Sequence, residues 1–177
     1  TGFSPYGNTF RYSNDMNGDG VTNDLIYIPK EKGEVAFLTP ADEDAFFAFI
    51  KQDKYLSKHM GEYAEAYAAR APWVNRVDLR FVQDFSIKAG NTRNTLQLSI
   101  DLLNAGNRLN SKWGVYQNMA VSNNGAILKY ESRDAVTLVP KYSMVKVKGA
   151  YPTETYSPAL TISQCWTLQV GLRYIFN

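Results

Sequence analysis

From Trp166 onward the even positions of the chain are Trp166, Leu168, Val170, Leu172, Tyr174 and Phe176, while Thr167, Gln169, Gly171 and Arg173 between them are small or polar, with Ile175 as the exception. A period of two describes a strand with two different faces. The same period runs through "WVNRVDLRFVQDFSIK", where Val77, Leu79, Phe81, Phe85 and Ile87 alternate with Asp78, Arg80, Asp84, Ser86 and Lys88. After the turn "AGNTRN" it resumes, with Leu96, Leu98, Ile100 and Leu102 set against Gln97, Ser99 and Asp101. The pattern predicts an antiparallel hairpin over 73–104 and a last strand over 164–177. Each strand is longer than the ~5–6 residues common in soluble sheets and close to the ~9–11 that cross a tilted bilayer. A soluble sandwich also has an apolar core face. Rings at both ends of an aliphatic stripe fit the two interfaces of a bilayer better.

Elsewhere the period changes. Thr39-Pro40-Ala41-Asp42-Glu43 is a helix start, with Thr39 as N-cap, Pro40 in the first turn and acids complementing the dipole. It predicts a helix over about 40–52, and "KHMGEYAEAYAARA" predicts a second over about 58–70, ending near Pro72. Residues 1–38 are turn-rich, with a strand candidate at "DLIYIP". From 105 to 163 the chain breaks into Asn/Gly turns and short strand candidates, "AILKYES" and "YSMVKVK".

Composition narrows the classes. The 12 Tyr, 9 Phe and 3 Trp make 14% of the chain, an excess that suits sheets, sugar-binding surfaces and membrane girdles alike. A net charge of +2 without a basic stripe gives no reason to expect nucleic acid. One cysteine, Cys165, excludes an internal disulfide framework, and one histidine, His59, excludes a multi-histidine metal centre within the chain. "AFFAFI" is the nearest approach to the ~18 apolar residues of a transmembrane helix. The opening "TGFSPYGNTF" is not a signal peptide and reads as the start of a mature chain or a fragment.

Four motifs, "NDMNGDGVTNDLIYIP", "RAPWVNRVDLRF", "LLNAGNRLNSKWG" and "LQVGLRYIFN", occur in an order that resembles the C-terminal end of TonB-dependent outer-membrane receptors. The closest likeness is to the Oar-like branch, whose members carry a carboxypeptidase-regulatory-like domain. The resemblance implies a mainly β fold, the last strands of a 22-stranded transmembrane antiparallel barrel. It also implies a location in the outer membrane of a Gram-negative bacterium and energised nutrient uptake with the TonB complex. No plug domain or TonB box stands in the sequence, so contact with TonB would run through an absent N-terminal part. The ending resembles the pattern read by barrel-assembly machinery, on Gln169, Gly171, Tyr174 and Phe176, with Asn177 beyond the aromatic as a departure. A surface lipoprotein partner is a further expectation from related receptors.

Topology runs the same way. With a periplasmic C-terminus, the segment 105–163 falls outside as a loop, "AGNTRN" falls on the side where turns are short, and 1–72 falls outside, where a helical insertion is tolerated. Asp78, Arg80, Asp84, Asp101 and Arg173 share the lumen-facing parity. The other reading is a secreted, soluble β-rich binding module, stabilised by calcium and binding glycan. An enzyme is not expected, because no catalytic constellation appears.

"DMNGDG" is the sharpest local motif. Asp15, Asn17 and Asp19 followed by Gly20 copy the first half of a calcium loop, and Asn23 and Asp24 could add oxygens. Position 12 is Ile26 rather than a bidentate Glu. Structural calcium and an Asx-rich turn both stay open, with the turn favoured and no other cofactor expected. Asp42, Glu43 and Asp44 read as first-turn acids, His59 as a surface histidine and Cys165 as a buried or lipid-edge thiol. Trp73 and Trp166 read as interface residues before sugar platforms.

Overall fold

The computed structural model describes residues 8–121, 125–159 and 161–176. Expectations that touch the first seven residues or Asn177 lie outside the described residues. The protein is mainly β, with 38% strand and 15% helix, in open sheets. In chain order the elements begin with β1 (Arg11–Tyr12), β2 (Tyr27–Ile28), β3 (Ala36–Phe37), α1 (Pro40–Gln52) and β4 (Glu62–Tyr63). Next come β5 (Leu79–Ala89), β6 (Thr92–Leu103), α2 (Ala105–Leu109) and β7 (Gln117–Met119). The last are β8 (Ala126–Arg133), β9 (Pro140–Met144), β10 (Tyr156–Pro158) and β11 (Thr167–Phe176). Two compact units result, Thr1–Ala71 with Asn118–Ser157, and Pro72–Gln117 with Pro158–Asn177. β7 and β10 pair as a two-stranded ribbon.

The first unit holds a sheet of order β1-β8-β9-β3, a small antiparallel pair β2–β4, and α1. Phe46, Phe49 and Ile50 fall on one stripe of α1, three and four residues apart, and all are buried. They join Phe10, Ile26, Ile28, Leu56, Ile127 and Leu128 in one core. The start of α1 follows its residues: Thr39 Oγ1 accepts from the Asp42 N–H at 3.2 Å, and Pro40 opens the helix.

Asp42 does more than complement the dipole. Its side chain is buried; Oδ2 accepts from Thr39 Oγ1 at 2.5 Å, and Oδ1 accepts from Met144 N and Tyr151 Oη, each at 3.1 Å. It therefore ties the first turn of α1 to β9. Asp44, by contrast, is exposed and pairs with Lys32.

The helix expected over 58–70 is absent. A short 3-10 turn, Leu56–Lys58, is followed by β4 and irregular chain. Propensity favours a helix there, but tertiary bonds prevail. Gly61 N donates to Ile28 O at 2.5 Å, Ala64 N to Ile26 O at 2.8 Å and Ala69 N to Asn8 O at 2.9 Å, so the stretch is sewn to β2 and to the chain before β1. His59 stacks on Tyr55 with ring centroids 4.1 Å apart.

The second unit is a three-stranded antiparallel sheet of order β11-β6-β5. Its strands have 11, 12 and 10 residues for β5, β6 and β11. The turn is tighter than "AGNTRN" suggested. Ala89 pairs with Thr92, leaving only Gly90 and Asn91 between the strands, and Gly90 has the positive φ of +63° that such a turn demands. β5 begins at Leu79 rather than near Trp73, because Asp78 turns its carboxylate to the Asn104 N–H at 2.7 Å and closes the open end of the hairpin.

Replacing Asp42 by Ala leaves the Met144 N–H without its buried acceptor, and should destabilise the first unit by roughly 2–3 kcal/mol. Asp44→Ala should stay within about 0.5 kcal/mol. Denaturant titration of the two variants should separate them; equal costs would reduce Asp42 to a dipole-complementing acid.

Candidate functional site

Register decides which side chains share a face of the long sheet. Phe81, Ile100 and Val170 form one row, and Phe85, Leu96 and Tyr174 another. Directly opposed residues lie on the same side of an antiparallel pair. One face thus carries Leu79, Phe81, Phe85 and Ile87, then Leu96, Leu98, Ile100 and Leu102, then Leu168, Val170, Leu172, Tyr174 and Phe176. Among polar residues, Gln83, Asn94 and Thr92 interrupt it. None of these side chains belongs to the hydrophobic core of the protein. The outer rows stand in the open, with Val170 65%, Leu172 70% and Phe176 72% exposed.

The opposite face is mostly polar, with Val82, Leu103 and Ile175 as its apolar members. Arg80, Asp101 and Gln169 share a row, as do Asp84, Gln97 and Arg173. Arg80 Nε lies 3.3 Å from Asp101 Oδ1. The Ser86 and Thr95 hydroxyls are 2.9 Å apart, and Arg93 Nη2 donates to Ser86 Oγ at 3.3 Å. Of the five residues assigned lumen-facing parity, Arg80 and Asp101 pair. Asp84 and Arg173 sit in one row on either side of Gln97. Asp78 lies before the strand and serves the chain end as described above.

The termini of this sheet are also built from the residues singled out. Tyr174 and Phe176 stack at 6.1 Å at one end of β11, and the Tyr174 hydroxyl donates to Asn94 Oδ1. Gln169 and Gly171 lie on the polar face. A Cβ on Gly171 would meet Ser99 Oγ at 2.6 Å, so glycine leaves room for the Ser99 hydroxyl, which donates to Gly171 O at 3.4 Å. At the other end Arg108 lies over the Trp166 ring at 5.5 Å, and Trp73 is 96% exposed. Trp73, Trp113, Val77, Leu79 and Leu109 line an open apolar cleft of about 460 Å³. Cys165 is exposed, not buried.

Sequence reading missed Asn104. It is fully buried with a left-handed backbone, φ +51°, directly after β6, and its Nδ2 donates to Gln164 O at 2.7 Å and Gly114 O at 3.2 Å. A Cβ on Gly114 would approach Asn104 Oδ1 to 1.9 Å, so only glycine leaves room for this clasp. The sequence signal was present in "LLNAGN", where Asn is the common non-glycine choice for a left-handed residue.

The Asx-rich loop closes on itself. Asp15 Oδ1 and Oδ2 accept from Gly18 N and Gly20 N at 2.7 and 2.8 Å, Asn17 Oδ1 from Asp19 N at 2.8 Å, and Asp19 Oδ1 from Val21 N at 2.8 Å. These amides, Gly20 foremost, hold the Asp15 carboxyl below the usual carboxylate range. Asp24 faces elsewhere and accepts from Met16 N at 2.6 Å. Among the described residues no three acidic, histidine or cysteine side chains come together as a metal site. The geometry is that of an Asx turn.

A second feature had no single motif. Tyr12, Tyr63, Tyr67 and Tyr142, from three separated stretches, line a cleft of about 680 Å³ in the first unit, together with Arg11, Asn23 and Asp24. Tyr12 and Tyr142 stack at 5.2 Å and are buried. Burial raises both phenols above the ordinary range, so they remain neutral.

Set against protein-family models, curated proteins and solved structures, the chain matches none of them.

If the loop at Asp15–Gly20 is held by its own amides, millimolar calcium and a chelator should give the same melting temperature. A rise of several degrees with calcium, lost in Asp15→Asn, would instead support the metal reading.

Proposed function

We propose that this chain is the C-terminal β-barrel portion of a TonB-dependent outer-membrane transporter for energised nutrient uptake. The observation that carries the reading is a sheet of three consecutive antiparallel strands, each of bilayer-crossing length, with one face apolar almost throughout and exposed. Soluble monomers rarely expose apolar patches beyond a few hundred Å². Lipid is the solvent in which such a face is stable without cover. The polar face, with Arg80 and Asp101 paired on it, suits a wet lumen. Order β11-β6-β5 is that of an up-and-down barrel wall, to which further strands would add towards the 22 of the family.

Under this reading the first unit is an outer-loop structure, formed by two insertions that flank the hairpin. The tryptophans at one end of the strands and Tyr174 with Phe176 at the other occupy the two interfaces. Gln169, Gly171, Tyr174 and Phe176 present the assembly signal. Plug, TonB contact and any surface lipoprotein belong to the remainder of the transporter. A calcium ion in the Asx loop is not needed for any of these roles, and no catalysis is proposed.

Arginine at Leu98, Ile100, Leu168 or Val170 should cost about 2–4 kcal/mol in a folded, membrane-inserted receptor, against little at Gln97, Ser99 or Gln169. The measurement is urea unfolding from lipid vesicles. Equal tolerance on both faces would argue for a soluble module.

The closing strand offers a second test. A one-residue slip would turn every apolar side chain of β11 inward, so its end must be delivered in register. Deleting Tyr174–Asn177, or changing Phe176 to Asp, should abolish insertion of the full-length receptor without reducing its synthesis. Heat-modifiability and surface protease accessibility of outer-membrane fractions report this. Normal amounts of folded, surface-exposed receptor would sink the assignment of β11 as closing strand.

A further inference from the structure

We infer that the tyrosine-lined cleft of the first unit is a binding site for a short, uncharged saccharide. The cleft, about 680 Å³, lies within the ~300–1,000 Å³ of small-molecule sites. Its walls divide in two. Tyr12 and Tyr142 are packed into the core and shape the floor. Tyr63 and Tyr67 line the same cleft and are 69% and 54% exposed.

Tyr67 is held at some expense. Its φ of +60° is left-handed, an outlier for a bulky side chain that costs on the order of 1–3 kcal/mol. Its N–H donates to the hydroxyl of buried Thr9 at 3.0 Å, a bond from a distant part of the chain that fixes this conformation. Tyr63 is steadied through β4, which pairs with β2, and its ring meets Tyr27 edge-on at 5.3 Å. The two exposed rings are therefore placed by the fold and are not loose surface tyrosines.

The polar groups set the ligand class. Among the described residues of the lining, Arg11 and Asp24 carry opposite charges, which disfavours a net anion or a net cation. Arg11 Nη1 already serves Thr22 O at 2.6 Å, and Asp24 Oδ2 serves Met16 N. The second Asp24 oxygen and the Asn23 amide offer an acceptor and a mixed donor–acceptor beside aromatic faces. Aromatic faces carry negative charge density and take C–H groups of partial positive charge, while amide and carboxylate take hydroxyls. A sugar ring presents both at once. A quaternary ammonium would meet Arg11, and a phosphate would meet Asp24. This inference does not depend on the membrane reading, because the cleft lies wholly within the first unit.

The test is titration calorimetry of the full chain in a polyoxyethylene detergent, since glycoside detergents would themselves compete for the cleft. Probes are glucose, galactose, N-acetylglucosamine, maltose and cellobiose, with choline, inorganic phosphate and uridine as counter-probes. At least one saccharide should bind saturably, and Tyr67→Asn, which tolerates the left-handed backbone, should weaken it tenfold or more, as should Tyr63→Ala. Tyr116→Ala, in the second unit, should leave it unchanged, and near-ultraviolet circular dichroism should show all three variants folded. Absence of binding by every saccharide, preference for a counter-probe, or full affinity in folded Tyr67→Asn and Tyr63→Ala would each overturn the inference. Heat-modifiability of the same protein reports the membrane reading separately.

Discussion

Leu98, Ile100 and Leu102 occupy the central strand of the long sheet, and even they gain cover only from neighbouring strands on either side. An apolar face of this kind is worth about 25 cal/mol per Å² when removed from water, so a sheet that keeps it wet forfeits its main source of stability. The first unit does not face this problem. Phe10, Phe46, Phe49, Ile127 and Leu128 are buried against one another, and α1 lies on the sheet it helps to cover. Two parts of one chain thus solve burial differently, the first by an internal core and the second only if something outside the chain supplies the cover. The membrane reading rests on this difference.

The difference also explains how the chain can carry so large an insertion between β6 and β11. A strand that leaves the sheet must satisfy its last backbone groups before an unrelated structure begins. Asn104 does this at the end of β6. Its own N–H goes to Asp78, and its side-chain amide reaches Gly114 and Gln164, so the outgoing strand, the returning chain and the start of β5 are clasped at one buried residue. With the strand ends held in this way, the register of β11 against β6 does not rely on a short connection. Thr167 can pair with Leu103 although more than half a hundred residues separate them in sequence.

What could be read from the sequence was what depends on local period. Alternation gave the hairpin, the last strand and the membership of each face, because side-chain direction in a strand is fixed by the backbone itself. The cap at Thr39 was legible for the same reason: its bond spans three residues. Illegible features were those decided by partners far away. The stretch around Tyr63 and Tyr67 has helical propensity, yet its amides go to Ile26, Asn8 and Thr9. Asp42 looked like an ordinary first-turn acid because nothing near it announces Met144 or Tyr151. The tyrosine cleft gathers residues 12, 63, 67 and 142, and no window along the chain contains two of its walls except the pair on either side of Ala64.

Edges complete the physical argument. β5 and β11 are the outer strands of the three, and each presents a long row of N–H and C=O groups on its far side. In water such edges invite pairing with other chains, and natural proteins blunt them with bulges, prolines or charges. Neither strand contains proline, and their ladders with β6 run without a bulge. Placed in lipid, the same groups would each lose several kcal/mol for want of a partner, because hydrocarbon offers none. On the proposed reading the apolar face is covered by lipid, while the edges forbid lipid to a sheet of only three strands. Both demands would be met together if further strands extended the sheet on each side until it closed, and the proline-free, bulge-free β11 edge suits such a closure.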